Sequence, residues 1–69
     1  MHQKNWETER FLPPAEAAGI LTVSIDALKK WRKAGTGPPY YRLHNGRVRY
    51  MERELLIWMN SQRRPGGAR

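Results

Sequence analysis

Leu21-Thr22-Val23-Ser24-Ile25-Asp26-Ala27-Leu28-Lys29-Lys30-Trp31-Arg32-Lys33-Ala34-Gly35 is the stretch on which the fold turns. Ser24 is a helix cap whose hydroxyl accepts from an amide two or three residues on, so a helix begins at Ile25. Asp26 in the first turn suits the positive end of the helix dipole, and Lys29, Lys30, Arg32 and Lys33 load the half where cations are favoured. Gly35 supplies a stop and Pro38-Pro39 forbid continuation, which ends this helix at Ala34. On a helical wheel Ala27, Leu28, Trp31 and Ala34 gather on one arc, opposite Asp26, Lys29, Lys30 and Lys33. A core face thus separates from a basic face, and Trp31 belongs to the core.

Working upstream, Pro13-Pro14 marks a helix entrance, where a missing N–H costs nothing. Ala17, Ala18 and Leu21 share one face and Glu16 and Gly19 point away, which predicts a short helix over Pro14 to Leu21. Thr22-Val23-Ser24 joins the two helices as a helix-turn-helix. Downstream, Tyr40 to His44 and Arg47 to Tyr50 flank Asn45-Gly46, a strong signal for a two-residue type I′ hairpin. That loop pairs His44 with Arg47, Leu43 with Val48, Arg42 with Arg49 and Tyr41 with Tyr50. It predicts an apolar face of Tyr41, Leu43, Val48 and Tyr50, and a basic face of Arg42, His44, Arg47 and Arg49. Cations directly opposite one another destabilise a hairpin, so the basic face makes most sense with phosphates between them.

A third helix is expected over Glu52 to Ser61, turning Leu55, Leu56, Trp58 and Met59 to the core and leaving Arg53, Ile57 and Asn60 nearer solvent. The expected fold is therefore mainly α with a small β-hairpin: a winged helix-turn-helix of two helices, a two-stranded wing and a closing helix. Residues 1–10, with Trp6, read as a lead-in or arm, 11–61 as the folded domain, and 62–69 as a flexible basic tail.

Composition agrees with one small domain. The chain has 69 residues and no cysteine, with 39% hydrophobic and 28% charged residues. Neither disulfides nor a thiolate metal site can staple it, and two histidines make a poor ligand set, so no metal or other cofactor is expected. No apolar run approaches a membrane span, and the N-terminus MHQKNWETER lacks the apolar segment of a signal peptide. A cytoplasmic protein is expected. The net charge of +7 is unevenly placed. Residues 1–26 hold Lys4 and Arg10 against Glu7, Glu9, Glu16 and Asp26, whereas 27–51 carry seven basic residues and no acid. A cationic stretch coinciding with the second helix and the wing points to a polyanionic partner.

The run Phe11 to Leu43, above all W31-R-K-A-G-T-G-P-P, together with G46-R-V-R-Y and L55-L-I-W-M, resembles the MerR-like winged helix-turn-helix of phage excisionases and AlpA-type regulators. The resemblance covers about Phe11 to Met59. It departs at Pro13, where the family commonly has a Ser or Thr cap, and at Thr22, where a Gly usually ends the first helix. For an excisionase it implies cooperative binding to tandem attachment-site repeats, contacts between copies, DNA bending, and contact with an integrase that turns recombination towards excision. It also implies a nucleoid-associated protein of a bacterial host cell.

In such a domain the second helix enters the major groove of duplex DNA with its early turns deepest. Ile25, Asp26, Lys29 and Lys30 are then the candidates for base edges: a lysine to guanine, Asp26 to a cytosine amino group, Ile25 to a thymine methyl. Thr22, Ser24, Arg32 and Lys33 are candidates for phosphate contacts, which orient without reading sequence. The wing would follow the flanking minor groove with Asn45 and Arg47 at its tip and Arg42 and Arg49 behind. His44, beside the turn, reads as a solvated or phosphate-facing group rather than a metal ligand.

Catalysis is not expected, because Ser24 and Ser61 lack a histidine and carboxylate at recognisable spacing and Gly35-x-Gly37 runs into prolines rather than a helix. An AlpA-like transcription regulator would use the same surfaces. A packaging adaptor would need a long assembly segment after the winged helix. A sequence-indifferent RNA-binding protein would need solvent-facing aromatics, of which Tyr40 is the obvious one. Trp6, Ile57 and the tail are the candidates for protein contacts. If about four to six phosphates are neutralised per subunit, log affinity for duplex DNA falls against log salt with a slope near −4 to −5; a slope near zero in a salt titration would remove the electrostatic argument.

Overall fold

The computed structural model describes residues 9–66; Trp6, most of the expected N-terminal arm and the end of the expected tail lie outside them. The order is β1 (Phe11–Leu12), α1 (Pro14–Leu21), α2 (Ile25–Ala34), β2 (Tyr41–Arg42), β3 (Val48–Met51) and α3 (Glu52–Ser61). This is a mainly α winged helix-turn-helix. All three helices keep the bounds expected from their sequence punctuation.

The helix ends show why. Pro14 occupies the first turn of α1, and Pro13 accepts from the amides of Glu16 and Ala17. Ser24 Oγ accepts from the amide of Ala27 at 3.0 Å and opens α2. Both helices close with the same paired bonds: Val23 N–H to Ala18 O and Thr22 N–H to Gly19 O for α1, Thr36 N–H to Trp31 O and Gly35 N–H to Arg32 O for α2. These bonds require a left-handed residue at the stop. Gly35 provides it without cost at φ 76°, but after α1 the residue is Thr22 at φ 57°. A β-branched side chain is strained there.

The sheet holds a strand more than the expected wing, in the order β1-β3-β2. β3 is central and antiparallel to both neighbours, pairing Leu12 with Tyr50 and Phe11 with Met51 on one side. The amide of Glu52 also donates to Arg10 O at 2.8 Å. Two residues ahead of a Pro-Pro carry no period of their own, so β1 exists only because β3 offers an edge.

On the other side of β3 the register differs by one residue from the expected one: Tyr41 pairs with Arg49 and Arg42 with Val48. The loop is not a type I′ turn, which would need positive φ at both Asn45 and Gly46. Only Gly46 has it, at 86°. Gly46 N–H donates to Leu43 O and Leu43 N–H to Arg47 O, closing a three-residue loop of His44, Asn45 and Gly46. Asn45 remains out of the left-handed region and uses Oδ1 to accept from Arg47 N–H at 3.0 Å. A slip of one residue exchanges faces. Val48 and Tyr50 are buried as expected, but Tyr41 and Leu43 turn outward, 40% and 41% exposed.

The core is small: Leu12, Ala17, Ala18, Leu28, Val48, Tyr50 and Leu55, with Ile20, Leu21, Val23 and Trp31 packed against it. Of the apolar faces expected on α2 and α3, Ala34, Leu56 and Met59 are exposed instead, because the single layer they would cover ends at Leu28, Trp31, Leu55 and Trp58. Trp31 stacks at a tilt on Trp58, ring centroids 5.7 Å apart. Gly37 lies against it so closely that an added Cβ would sit 2.9 Å from Trp31 Cβ, at a φ of 85°. No helix among the described residues is long and apolar enough to cross a membrane.

Thr22→Gly is expected to raise stability by about 0.5–1 kcal/mol, the strain relieved less the backbone entropy glycine loses. Gly37→Ala is expected to lower it by about 2 kcal/mol or more. Urea unfolding of both variants measures the pair.

Candidate nucleic-acid interface

Three glutamates and two arginines neutralise one another away from α2. Arg10 donates to Glu16 at 2.9 Å and lies 3.4 Å from Glu52, and Arg53 pairs with Glu9 at 3.0 Å. Lys29, Arg32, Lys33, Arg42, Arg47 and Arg49 have no ion pair among the described residues, and Lys30 has only a loose i,i+4 contact with Asp26 at 3.9 Å. Each pair has a cation more than half exposed, and pairs open to solvent in this way contribute little stability. Their consequence is a field: positive charge is left uncompensated on α2 and the wing.

On α2, Ile25, Asp26, Lys29, Lys30 and Lys33 all project into solvent. Ser24 accepts from Ala27, which leaves its O–H free to donate outward. Thr22 differs, since its hydroxyl donates to Leu21 O within its own turn. Arg32 departs further from the solvent-facing position expected of a phosphate ligand. It is half-buried and donates from Nη1 to the hydroxyl of buried Tyr50 at 2.8 Å. Its guanidinium lies 5.8 Å from the centre of the Tyr40 ring.

The four cations expected on one face of the wing are divided by the register. His44, Asn45 and Arg47 form the exposed tip. Arg42 lies beside Val48 instead of opposite Arg49, with its guanidinium 5.9 Å from the same Tyr40 ring and Nη1 3.4 Å from Gly46 O. Arg49 is half-buried on the outward face, donating to Val48 O at 2.7 Å. There it joins Phe11, Tyr41 and Leu43 around an apolar groove of about 460 Å³. Phe11 meets Tyr41 edge to face at 6.0 Å.

The Tyr41 hydroxyl donates to Glu54 Oε2 at 3.2 Å. Its pKa is raised above the ordinary tyrosine value, first by desolvation and then by the hydrogen bond to Glu54 and the charge of that carboxylate. Glu54 Oε1 is buried and has no partner among the described residues. Among the described residues no three His, Cys, Asp or Glu side chains come together as a metal site. Tyr40 and Tyr50 are the residues that sequence reasoning left out of the site. The signal was the Tyr-Tyr pair at the entrance of the first wing strand, but the register decides which of the two meets the arginines.

A family model described as a helix-turn-helix domain matches residues 11–63, more than half of the chain. No curated protein matches the chain.

Because the Tyr50 hydroxyl has no other partner among the described residues, Arg32→Leu is expected to cost about 1.5–3 kcal/mol of stability. Lys29→Ala, on the solvent face of the same helix, is expected to change it by less than about 0.5 kcal/mol. Denaturant unfolding of the two variants tests the inward assignment of Arg32.

Proposed function

The chain belongs to the helix-turn-helix domain family and is a DNA-binding protein of that family; from this premise we propose that it is an architectural excisionase. In this reading it binds tandem attachment-site repeats in duplex DNA, bends them, and directs an integrase towards excision, in the cytoplasm of a bacterial host and associated with its nucleoid. Residues 11–61 are the DNA-binding unit, followed by a basic tail. The observation that carries the reading is the set of unpaired cations on α2 and the wing, while Arg10 and Arg53 are paired with Glu9, Glu16 and Glu52.

Recognition divides along the chain. Ile25, Asp26, Lys29 and Lys30 meet base edges in the major groove, Ser24, Lys33 and Arg32 hold phosphates, and Thr22 approaches the backbone at the turn. The wing tip, His44, Asn45 and Arg47, follows the minor groove, where arginine reads groove width rather than base identity. Arg42 and Arg49 stand behind the tip.

One module of this size buries only about 600–1,000 Å² on DNA, so selective binding calls for neighbouring copies. Two exposed apolar surfaces support contacts between proteins. One is the groove of Phe11, Tyr41 and Leu43 beside Arg49. The other is the outer side of α3, where Leu56 and Ile57 are 47% and 63% exposed and border a groove of about 410 Å³. Contiguous exposed apolar patches mark such contacts more often than isolated residues do.

A gel-shift titration with the attachment-site arm next to the gene, a scrambled duplex and circularly permuted fragments tests the proposal. A ladder of cooperative complexes with position-dependent mobility is expected. A single unbent complex on a promoter fragment would favour an AlpA-like regulator, and equal binding to scrambled DNA would leave no specific target. Within the specific complex, Lys29→Ala or Asp26→Ala should change preference at one base pair by about 1–3 kcal/mol, and Arg47→Ala should weaken all duplexes alike.

A further inference from the structure

Tyr40 lies outside the core yet stands where α2, β2 and β3 converge. It is 36% exposed, and its ring is 6.2 Å from that of buried Tyr50. Two guanidinium groups lie near this one ring, Arg32 at 5.8 Å from the last turn of α2 and Arg42 at 5.9 Å from β2. Each is tethered by one further hydrogen bond, Arg32 to the Tyr50 hydroxyl and Arg42 to Gly46 O. Neither has a carboxylate partner among the described residues, although acids elsewhere in the chain pair with Arg10 and Arg53.

The two guanidiniums share one aromatic ring and no acid among the described residues, an arrangement that suits an anion. Two cations gathered at one ring repel each other, and a partly exposed cation–π contact returns only a modest part of that. A guanidinium has five N–H donors in a planar fork, so one hydrogen bond leaves most of them free. The same planar fork suits phosphate and the face of an aromatic ring at once.

We propose that Tyr40 is a positioning residue that holds Arg32 and Arg42 as a paired-guanidinium clamp for the phosphodiester backbone of duplex DNA, between the groove entered by α2 and the groove followed by the wing. The proposal rests on the DNA-binding reading above and deepens it. Arg32 acts on DNA from its half-buried position and not as a free side chain. Alongside those hydrogen bonds, the ring couples a residue of the recognition helix to a residue of the wing. The clamp sits on the backbone and carries no base preference of its own.

The test is equilibrium binding of the whole chain to the attachment-site arm and to a scrambled duplex over a range of NaCl, for wild type, Tyr40→Phe, Tyr40→Leu and Arg42→Lys, with circular dichroism on each variant. Tyr40→Phe, which keeps the ring, is expected to retain affinity and salt slope. Tyr40→Leu is expected to weaken both duplexes about 3–10-fold and to reduce the magnitude of the slope by about 1–2, the loss of one or two phosphate contacts. A purely structural tyrosine would lower the melting temperature and leave the slope of the folded protein unchanged.

Arg42 is exposed, so Arg42→Lys tests the clamp even if Tyr40→Leu fails to fold. It keeps the charge and loses the planar fork, and an about threefold weaker affinity is expected. An unchanged slope in folded Tyr40→Leu, equal losses in Tyr40→Phe and Tyr40→Leu, or full affinity in Arg42→Lys would each overturn the clamp. Absence of duplex binding by the wild type at low salt would overturn the DNA-binding reading instead.

Discussion

The Tyr50 side chain is fully buried in the central strand, and its hydroxyl takes a hydrogen bond from Arg32. A phenol buried without a partner would cost about 1–3 kcal/mol, a large share of what so small a core can supply. The bond, with buried Leu28, therefore ties α2 to the sheet. Leu12 pairs with Tyr50 from β1, Tyr40 lies against it from the chain leading into β2, and Arg32 reaches it from α2. Helix, wing and added strand are joined through one side chain, which a hydrophobic core of seven buried residues among those described could not hold as firmly by area alone.

The same arrangement explains how a chain of net charge +7 keeps a cationic surface while remaining folded. Arg10 and Arg53 are spent on Glu9, Glu16 and Glu52 around β1, α1 and α3. Those pairs, whose arginines are more than half exposed, are each worth about 0–1 kcal/mol and are screened by salt, so they matter less for stability than for where they leave the remaining charge. The cations of α2 lie on a helix whose dipole favours them near its end, and those of the wing are separated by the register rather than stacked opposite one another. The hairpin thereby avoids the repulsion that a two-residue loop would have built in.

Local chemistry settled the helices. Pro13-Pro14, Ser24, Gly35 and Pro38-Pro39 act within a turn of the bond they make or prevent, so Pro14–Leu21, Ile25–Ala34 and the two faces of α2 could be read before any tertiary contact was known. The cationic character of α2 was legible for the same reason, since Asp26, Lys29, Lys30 and Lys33 share an arc by spacing alone. The family to which residues 11–63 belong agrees with that reading.

What the sequence by itself determined, then, was the order of elements, the helix ends and the side of α2 that carries charge, because each depends on contacts within about four residues. The tertiary structure decided the rest. β1 forms only against the edge of β3, as two residues have too little pairing energy to form a strand alone. Asn45 could have taken a left-handed turn, and the choice to accept from Arg47 moved the register by one residue and sent Tyr41 and Leu43 outward. Arg32 looked like any solvent-facing cation until a buried hydroxyl far along the chain required its proton. In each case the competing local states are close in energy, and a long-range partner tips the balance.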